Sequence, residues 1–187
     1  CGGKMMVDVP PLSISHAGFH VFDMSRMVDF FATVYGFHIV DHGTYEETEE
    51  ITFLSTDPSD HHQLVLYSGR TKSDDDVHYN HISFRADSMA RLRTFHAALK
   101  DYPGVTRINT IVHGNAWSVY CFDPEGNRTE VFIDTPWHVA QPFGVPFDLS
   151  LSDEEIYNWT AELLKDNETV VPFDEWRASR AKEWGLQ

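Results

Sequence analysis

Ser13–Asp23 reads S-I-S-H-A-G-F-H-V-F-D, and Val77–Asp87 reads V-H-Y-N-H-I-S-F-R-A-D. Both are short apolar strands with a histidine three residues before a phenylalanine, and each runs into a helical pattern. Two such stretches predict an internal repeat. Working outward, Ile14–Phe22 is expected as a strand and Ser25–Val34 as a helix, with Met27, Phe30, Phe31 and Val34 on one face and Gly36 as its stop. His38–Tyr45, Ile51–Ser55 and Gln63–Ser68 are β-rich runs punctuated by Gly, Asp and Pro. The second half repeats the order. His78–Ala86 reads as a strand, Ser88–Lys100 as a helix with Met89, Leu92, Phe95 and Leu99 on one face, and Val105–His113, Ser118–Phe122 and Thr129–Asp134 as strands.

The expected fold class is therefore α+β, with paired βαβββ modules plus a C-terminal helical tail. The boundaries expected are an N-terminal arm at 1–12, a first module at 13–69, a linker at 70–76, a second module at 77–135 and a helical extension at 136–187. In the extension, Ser152–Glu155 has a capping-box pattern for a helix running to Asp166, and Asp174–Trp184 suggests another. Trp159, Trp176 and Trp184 would pack this tail on the body or on a second subunit.

The repeat selects chemistry as well as fold. His16 and His81 are repeat mates, and Glu130 lies 49 residues after His81 in the otherwise apolar strand T-E-V-F-I-D. A carboxylate at a core-facing position is costly unless paired or metal-bound. Two imidazoles and one carboxylate hold a ferrous ion with coordination positions to spare. The position 48 residues after His16 is Leu64, which cannot ligate, so three protein ligands are expected and not four.

Composition narrows the partners. A net charge of −15 argues against nucleic acid and anionic membranes. No apolar run approaches the roughly 20 residues that span a bilayer. The start of the sequence lacks the apolar core of a secretion signal, and Cys1 and Cys121 suit no structural disulfide, so a cytoplasmic setting is expected. The sequons at Asn127, Asn158 and Asn167 are then chance matches. The acidic runs Glu46–Glu50 and Asp74–Asp76 read as solvated loops.

With the H-x-x-F strand, the N-H-I-S-F strand and Y-C-F-D-P-E-G-N-R-T-E in view, residues 13–135 resemble the vicinal oxygen chelate (glyoxalase, bleomycin resistance and dioxygenase) superfamily. Most similar are its type I extradiol ring-cleavage dioxygenases, here in a single-module form, and the resemblance implies that the paired modules form a half-open mixed β-barrel around a metal site. The resemblance implies His16, His81 and Glu130 as ligands of Fe(II), with Mn(II) as the other metal that accepts this set, and O2 as co-substrate. It implies Tyr120 as a hydrogen-bond donor to bound substrate, His62 as the acid–base histidine with His61 as its competitor, and His113 as a partner of the substrate's ionised oxygen. His20, Trp137 and His138 are expected to contribute to the pocket. The substrate implied is a catechol-type aromatic diol, and the role is in the breakdown of aromatic compounds. Extradiol enzymes commonly carry two such double modules. This chain has one, so its pocket walls are expected from the tail or from a partner in a homo-oligomer. Two alternatives stand beside this. One is a glyoxalase-like or epimerase-like metalloenzyme using Zn, Ni, Co or Mn, which tends to place a fourth ligand where Leu64 stands. The other is a metal-free protein that sequesters an aromatic drug.

Overall fold

The computed structural model describes residues 13–45, 48–71 and 80–185. The first repeat runs β1 (Ala17–His20), α1 (Met24–Tyr35), β2 (His38–Tyr45), β3 (Glu49–Ser55) and β4 (Leu64–Tyr67). The second runs β5 (Ile82–Arg85), α2 (Met89–Asp101), β6 (Thr106–Val112), β7 (Ala116–Phe122) and β8 (Arg128–Asp134). Each repeat makes its own mixed sheet. The orders are β1-β4-β3-β2 and β5-β8-β7-β6, with a parallel pair at one edge in both. The expected α+β class is present, and among the described residues no closed barrel forms.

The helices form where capping and apolar spacing coincide. Asp23 accepts from the Arg26 amide at 3.0 Å to start α1, and Gly36, at φ 73°, ends it by donating to Ala32. Ser88 caps α2 in the same way. Met27, Phe30, Phe31 and Val34 of α1 and Met89, Leu92, Phe95 and Leu99 of α2 are the buried faces, as the periodicity predicts. Burying each such side chain fully is worth about 1.5–3 kcal/mol. The strands are shorter than the sequence suggests. β1 pairs with β4 over only four residues, so His16 lies just before its strand. β4 begins at Leu64, so His61 and His62 sit in the bend before it.

Strand register corrects one repeat assignment. Gly18 pairs with Val65, and Ser83 with Glu130. With His16 and His81 as mates, the mate of Glu130 is Val65 and not Leu64, which occupies the core. Val65 stands 49 residues beyond His16, as Glu130 stands beyond His81. It is equally apolar, so the repeat still offers no fourth donor.

The two repeats are joined through aromatic packing, tyrosine hydrogen bonds and a carboxylate clamp. Tyr35 meets Phe84 and Phe95 with ring centroids 4.7 and 5.0 Å apart, and its hydroxyl is 2.5 Å from Thr129 Oγ1. The Glu125 carboxylate, in the D-P-E-G-N turn, accepts from the Phe22 and Asp23 amides at 2.9 and 2.7 Å. Arg70 lies 3.6 Å from it and donates to Asn127, so the residue at the start of the expected linker is part of this clamp.

The tail packs on the second repeat. Val145–Pro146 (β10) extends the second sheet beside β6, and Phe147, Leu149 and Ile156 enter the core. The capping box at Ser152 and Glu155 starts α3 (Asp153–Leu164), and Trp117 Nε1 donates to Thr160 on it at 2.9 Å. Trp137–His138 (β9) pairs with Val171–Pro172 (β11), which leads into α4 (Phe173–Glu183). These two-residue strands carry no alternation long enough to be seen in the sequence. No helix among the described residues is long and apolar enough to cross a membrane. The arm at 1–12, His78 and the acidic run at 74–76 lie outside the described residues.

Candidate active site

Alternation fixes which side chains share the face of each sheet that the helices leave open. In β1, Ala17 and Phe19 pack toward the core, which turns Gly18 and His20 to the open face, with His16 in phase just before them. In β5, Ile82 and Phe84 pack inward, and Ser83 and Arg85 point out in phase with His81. Across the register, Glu130 faces Ser83 on one side and Tyr120 on the other.

The structure brings His81 and Glu130 together. His81 Nε2 lies 3.3 Å from Glu130 Oε2, and its Nδ1 is 2.6 Å from Asn80 Oδ1. A carbonyl oxygen only accepts, so a hydrogen belongs on Nδ1, and Nε2 is the ring nitrogen that faces the Glu130 carboxylate. Glu130 is 7% exposed. Burial alone would raise its carboxyl. The Ser83 hydroxyl, which donates to it, leads the contacts that outweigh burial and hold it below the usual range. The carboxylate is therefore ionised, as a metal ligand must be.

Tyr120 and His113 form a second couple beside this pair. His113 Nδ1 is 2.7 Å from the Phe143 carbonyl oxygen and must donate to it, so Nε2 accepts from the Tyr120 hydroxyl at 2.9 Å. Burial and the adjacent Glu130 raise the Tyr120 phenol far above its ordinary value, so it is a neutral donor at any working pH. Arg128 lies over the Tyr120 ring at 4.2 Å from its centroid. His113, Tyr120, Glu130 and Phe132, with Asn115, Ala116 and Gln141, line a cavity of about 260 Å³.

His16 and His62 form a separate pair on the first repeat, with ring centroids 4.3 Å apart. His62 also rests on Phe53 at 5.1 Å, and its Nδ1 is 2.9 Å from that of His61. Of the two adjacent histidines, His62 is the one stacked on His16. Burial, then the neighbouring His16 and His61, push its pKa down, which favours the neutral base. Among the described residues, no group of three or more His, Cys, Asp and Glu side chains is arranged to hold a metal ion.

The remaining expected pocket residues have other contacts. His20 Nδ1 is 2.8 Å from the Ser68 carbonyl oxygen, and its ring lies 5.5 Å from Tyr67. Trp137 packs between Trp117 and Tyr157, at 6.3 and 4.8 Å. His138 packs on Trp176 at 4.3 Å. Trp137 and His138 thus dock the tail. Ser83 and Asn80, unnoticed in the sequence, serve the Glu130–His81 pair. Ser83 was findable, because it stands two residues beyond His81 and must share its face.

Comparison with known proteins follows the fold. Residues 13–131 match the profile described as Glyoxalase/Bleomycin resistance protein/Dioxygenase superfamily. No protein of curated function matches the chain. A glyoxylase/bleomycin resistance protein/dioxygenase domain from Frankia sp. EAN1pec is similar in structure, with a TM-score of 0.58 at 17% identity, covering 67% of this chain and 94% of its own. The fosfomycin resistance protein FosX from Mesorhizobium loti aligns with a TM-score of 0.50 at 20% identity, covering 67% and 91%. A glyoxalase family protein from Enterococcus faecalis gives 0.51 at 13% identity, covering 64% and 96%.

Proposed function

The chain belongs to the Glyoxalase/Bleomycin resistance protein/Dioxygenase superfamily, and on that premise we propose that it is an Fe(II)-dependent extradiol dioxygenase that opens catechol-type aromatic diols with O2. The observation that carries the proposal is that Glu130, 3.3 Å from His81, lines one cavity with Tyr120 and His113. The donor set fits a divalent transition-metal ion such as Fe(II): the His81 imidazole, the ionised Glu130 carboxylate beside it and, from the first repeat, the exposed His16. His16 stands with His62 and not with His81, so we assign the complete set to a homo-oligomer in which a second copy supplies His16.

Iron, when bound, supplies a template for both diol oxygens and a route for electrons from the diol to O2. The chain's own groups do the rest. His62 travels with His16 and so approaches from that side; as a neutral imidazole it takes a diol proton and later returns one. Tyr120 donates its hydroxyl hydrogen to a substrate oxygen when it leaves His113 Nε2. Before substrate arrives, His113, fixed by the Phe143 carbonyl, holds the phenol in place. Phe132 offers the ring an apolar wall.

The test is anaerobic purification, metal analysis, and assay of catechol, 3-methylcatechol and 2,3-dihydroxybiphenyl for oxygen uptake and a yellow product. Stoichiometric iron with no oxygen uptake across a broad catechol panel would sink ring cleavage and leave a redox-neutral metalloenzyme of the superfamily. Protein that takes up no divalent ion would leave a metal-free binder. His62→Phe should cut turnover by about 100-fold or more while iron stays bound. Loss of iron in that variant would show that His62 is a ligand.

A further inference from the structure

The open face of the second sheet continues past Glu130. Along β5 and β8, Arg85, Phe132 and Asp134 lie in phase with His81, Ser83 and Glu130. The Arg85 guanidinium sits over the Phe132 ring at 4.9 Å, and Phe132 lines the cavity that holds Tyr120 and Glu130. Beyond it, two guanidiniums share one carboxylate oxygen. Asp134 Oδ2 accepts from Arg85 and, at 2.8 Å, from Arg177.

Arg177 comes from α4, outside the segment matched to the superfamily. That helix is seated by Trp176 on His138 and by the Phe173 amide donating to the Pro136 carbonyl at 2.9 Å. The tail thus delivers a cation to the edge of the candidate site. Two guanidiniums against Asp134 leave one surplus positive charge and unfilled N–H donors, on a chain whose net charge is −15. The only other acid on Arg177 among the described ion pairs is Asp174, at 3.3 Å and 96% exposed, a pair too solvated to compete strongly. Both arginines are open to a ligand, with side chains 58% and 47% exposed.

We infer that Arg85 and Arg177 form a carboxylate-binding subsite, so that the preferred diol carries an acidic side chain. The inference rests on the reading that the His81–Glu130 face takes a ring diol. Arg85 stands four residues beyond His81, roughly 13 Å along the strand, a span that one ring with a two-carbon carboxylate arm bridges. A single surplus charge matches a carboxylate better than a dianionic group.

The test compares 3-(3,4-dihydroxyphenyl)propionate and its 2,3-isomer with their methyl esters. Anaerobic calorimetry on the iron-loaded full-length protein gives each affinity without requiring turnover. One of the acids should bind at least about tenfold more tightly than its ester, as expected for a charge-assisted pair. That ratio should fall toward one in Arg85→Gln and in Arg177→Gln, and survive largely in Arg177→Lys. Circular dichroism checks folding; if Arg177→Gln unfolds, the exposed Arg85 carries the test. Equal binding of acid and ester, or a ratio unchanged in the folded glutamine variants, overturns the subsite. Preference for the acid without oxygen uptake would keep the subsite and reject ring cleavage. Oxygen uptake on catechol without that preference would do the reverse, and no binding of any of the four compounds would overturn both.

Discussion

Glu130 shows how one side chain is held ready. It is buried beneath the open face, yet the Ser83 hydroxyl and His81 keep it ionised. Glu130→Gln preserves shape and removes the charge. It should weaken iron binding by at least about 100-fold, beyond the cost of losing an outer partner, as read by competition with a chromogenic chelator. Unchanged affinity would place the metal elsewhere. Cys121 is the opposite case. It is fully buried, 3.1 Å from Thr129 Oγ1, and burial pushes its thiol up to about 11. Cys121 should therefore resist alkylation in the folded protein, as peptide mapping would show. Because its folded pKa is the higher one, the stability linked to this thiol is whole below its ordinary pKa and is lost as pH rises toward 11. Cys121→Ala should lessen the fall in Tm over that alkaline range. At this scale His81 and Glu130 were legible because a lone carboxylate in an apolar strand needs a partner. Asn80 was not, since only coordinates show that it sets the imidazole's hydrogen. Leu64 was misassigned because a one-residue slip in counting moves a repeat mate to the opposite face of a strand.

Elements owe their arrangement to a few charged or capped positions. Both module helices were legible to within a residue or two, because caps and apolar faces coincide in α1 and α2. The joint between repeats was hidden. D-P-E-G-N looks like an ordinary turn, and within it Asp123 accepts from the Glu125 and Asn127 amides. Its middle residue, however, reaches across to the entrance of α1. Glu125→Ala would leave the Phe22 and Asp23 amides without their acceptor and Arg70 without its counter-charge. A loss of about 2 kcal/mol is expected, measured by urea denaturation with an unchanged m-value. A loss within about 0.5 kcal/mol would mean that the contacts of Tyr35 and Tyr102 hold the repeats without the clamp. The tail was legible as helices but not as a lid for any particular surface. Its seating depends on Trp117 reaching Thr160 and on His138 under Trp176, contacts between residues far apart in sequence.

For the whole molecule, the decisive fact is that among the described residues no three of the potential metal-ligating side chains converge. The first repeat carries His16 against His62, and the second carries His81 against Glu130 and Tyr120. Repeat symmetry correctly marks His16 and His81 as mates, but symmetry does not say whether mates meet within one chain. If two copies join face to face in an isologous pair, each site takes His16 and His62 from one copy and the rest from the other. Subunit complementation distinguishes the cases. His16→Ala and Glu130→Ala should each be inactive alone. When the two are co-expressed with different tags and dimers form at random, about a quarter of the sites regain every ligand, because each mixed dimer has one intact site and one doubly damaged site. Iron content and oxygen uptake in doubly purified mixed dimers should reach about half the wild-type level per dimer by the same count. If His16 meets His81 and Glu130 inside its own chain, no mixed dimer contains an intact site, and complementation fails however well the subunits exchange.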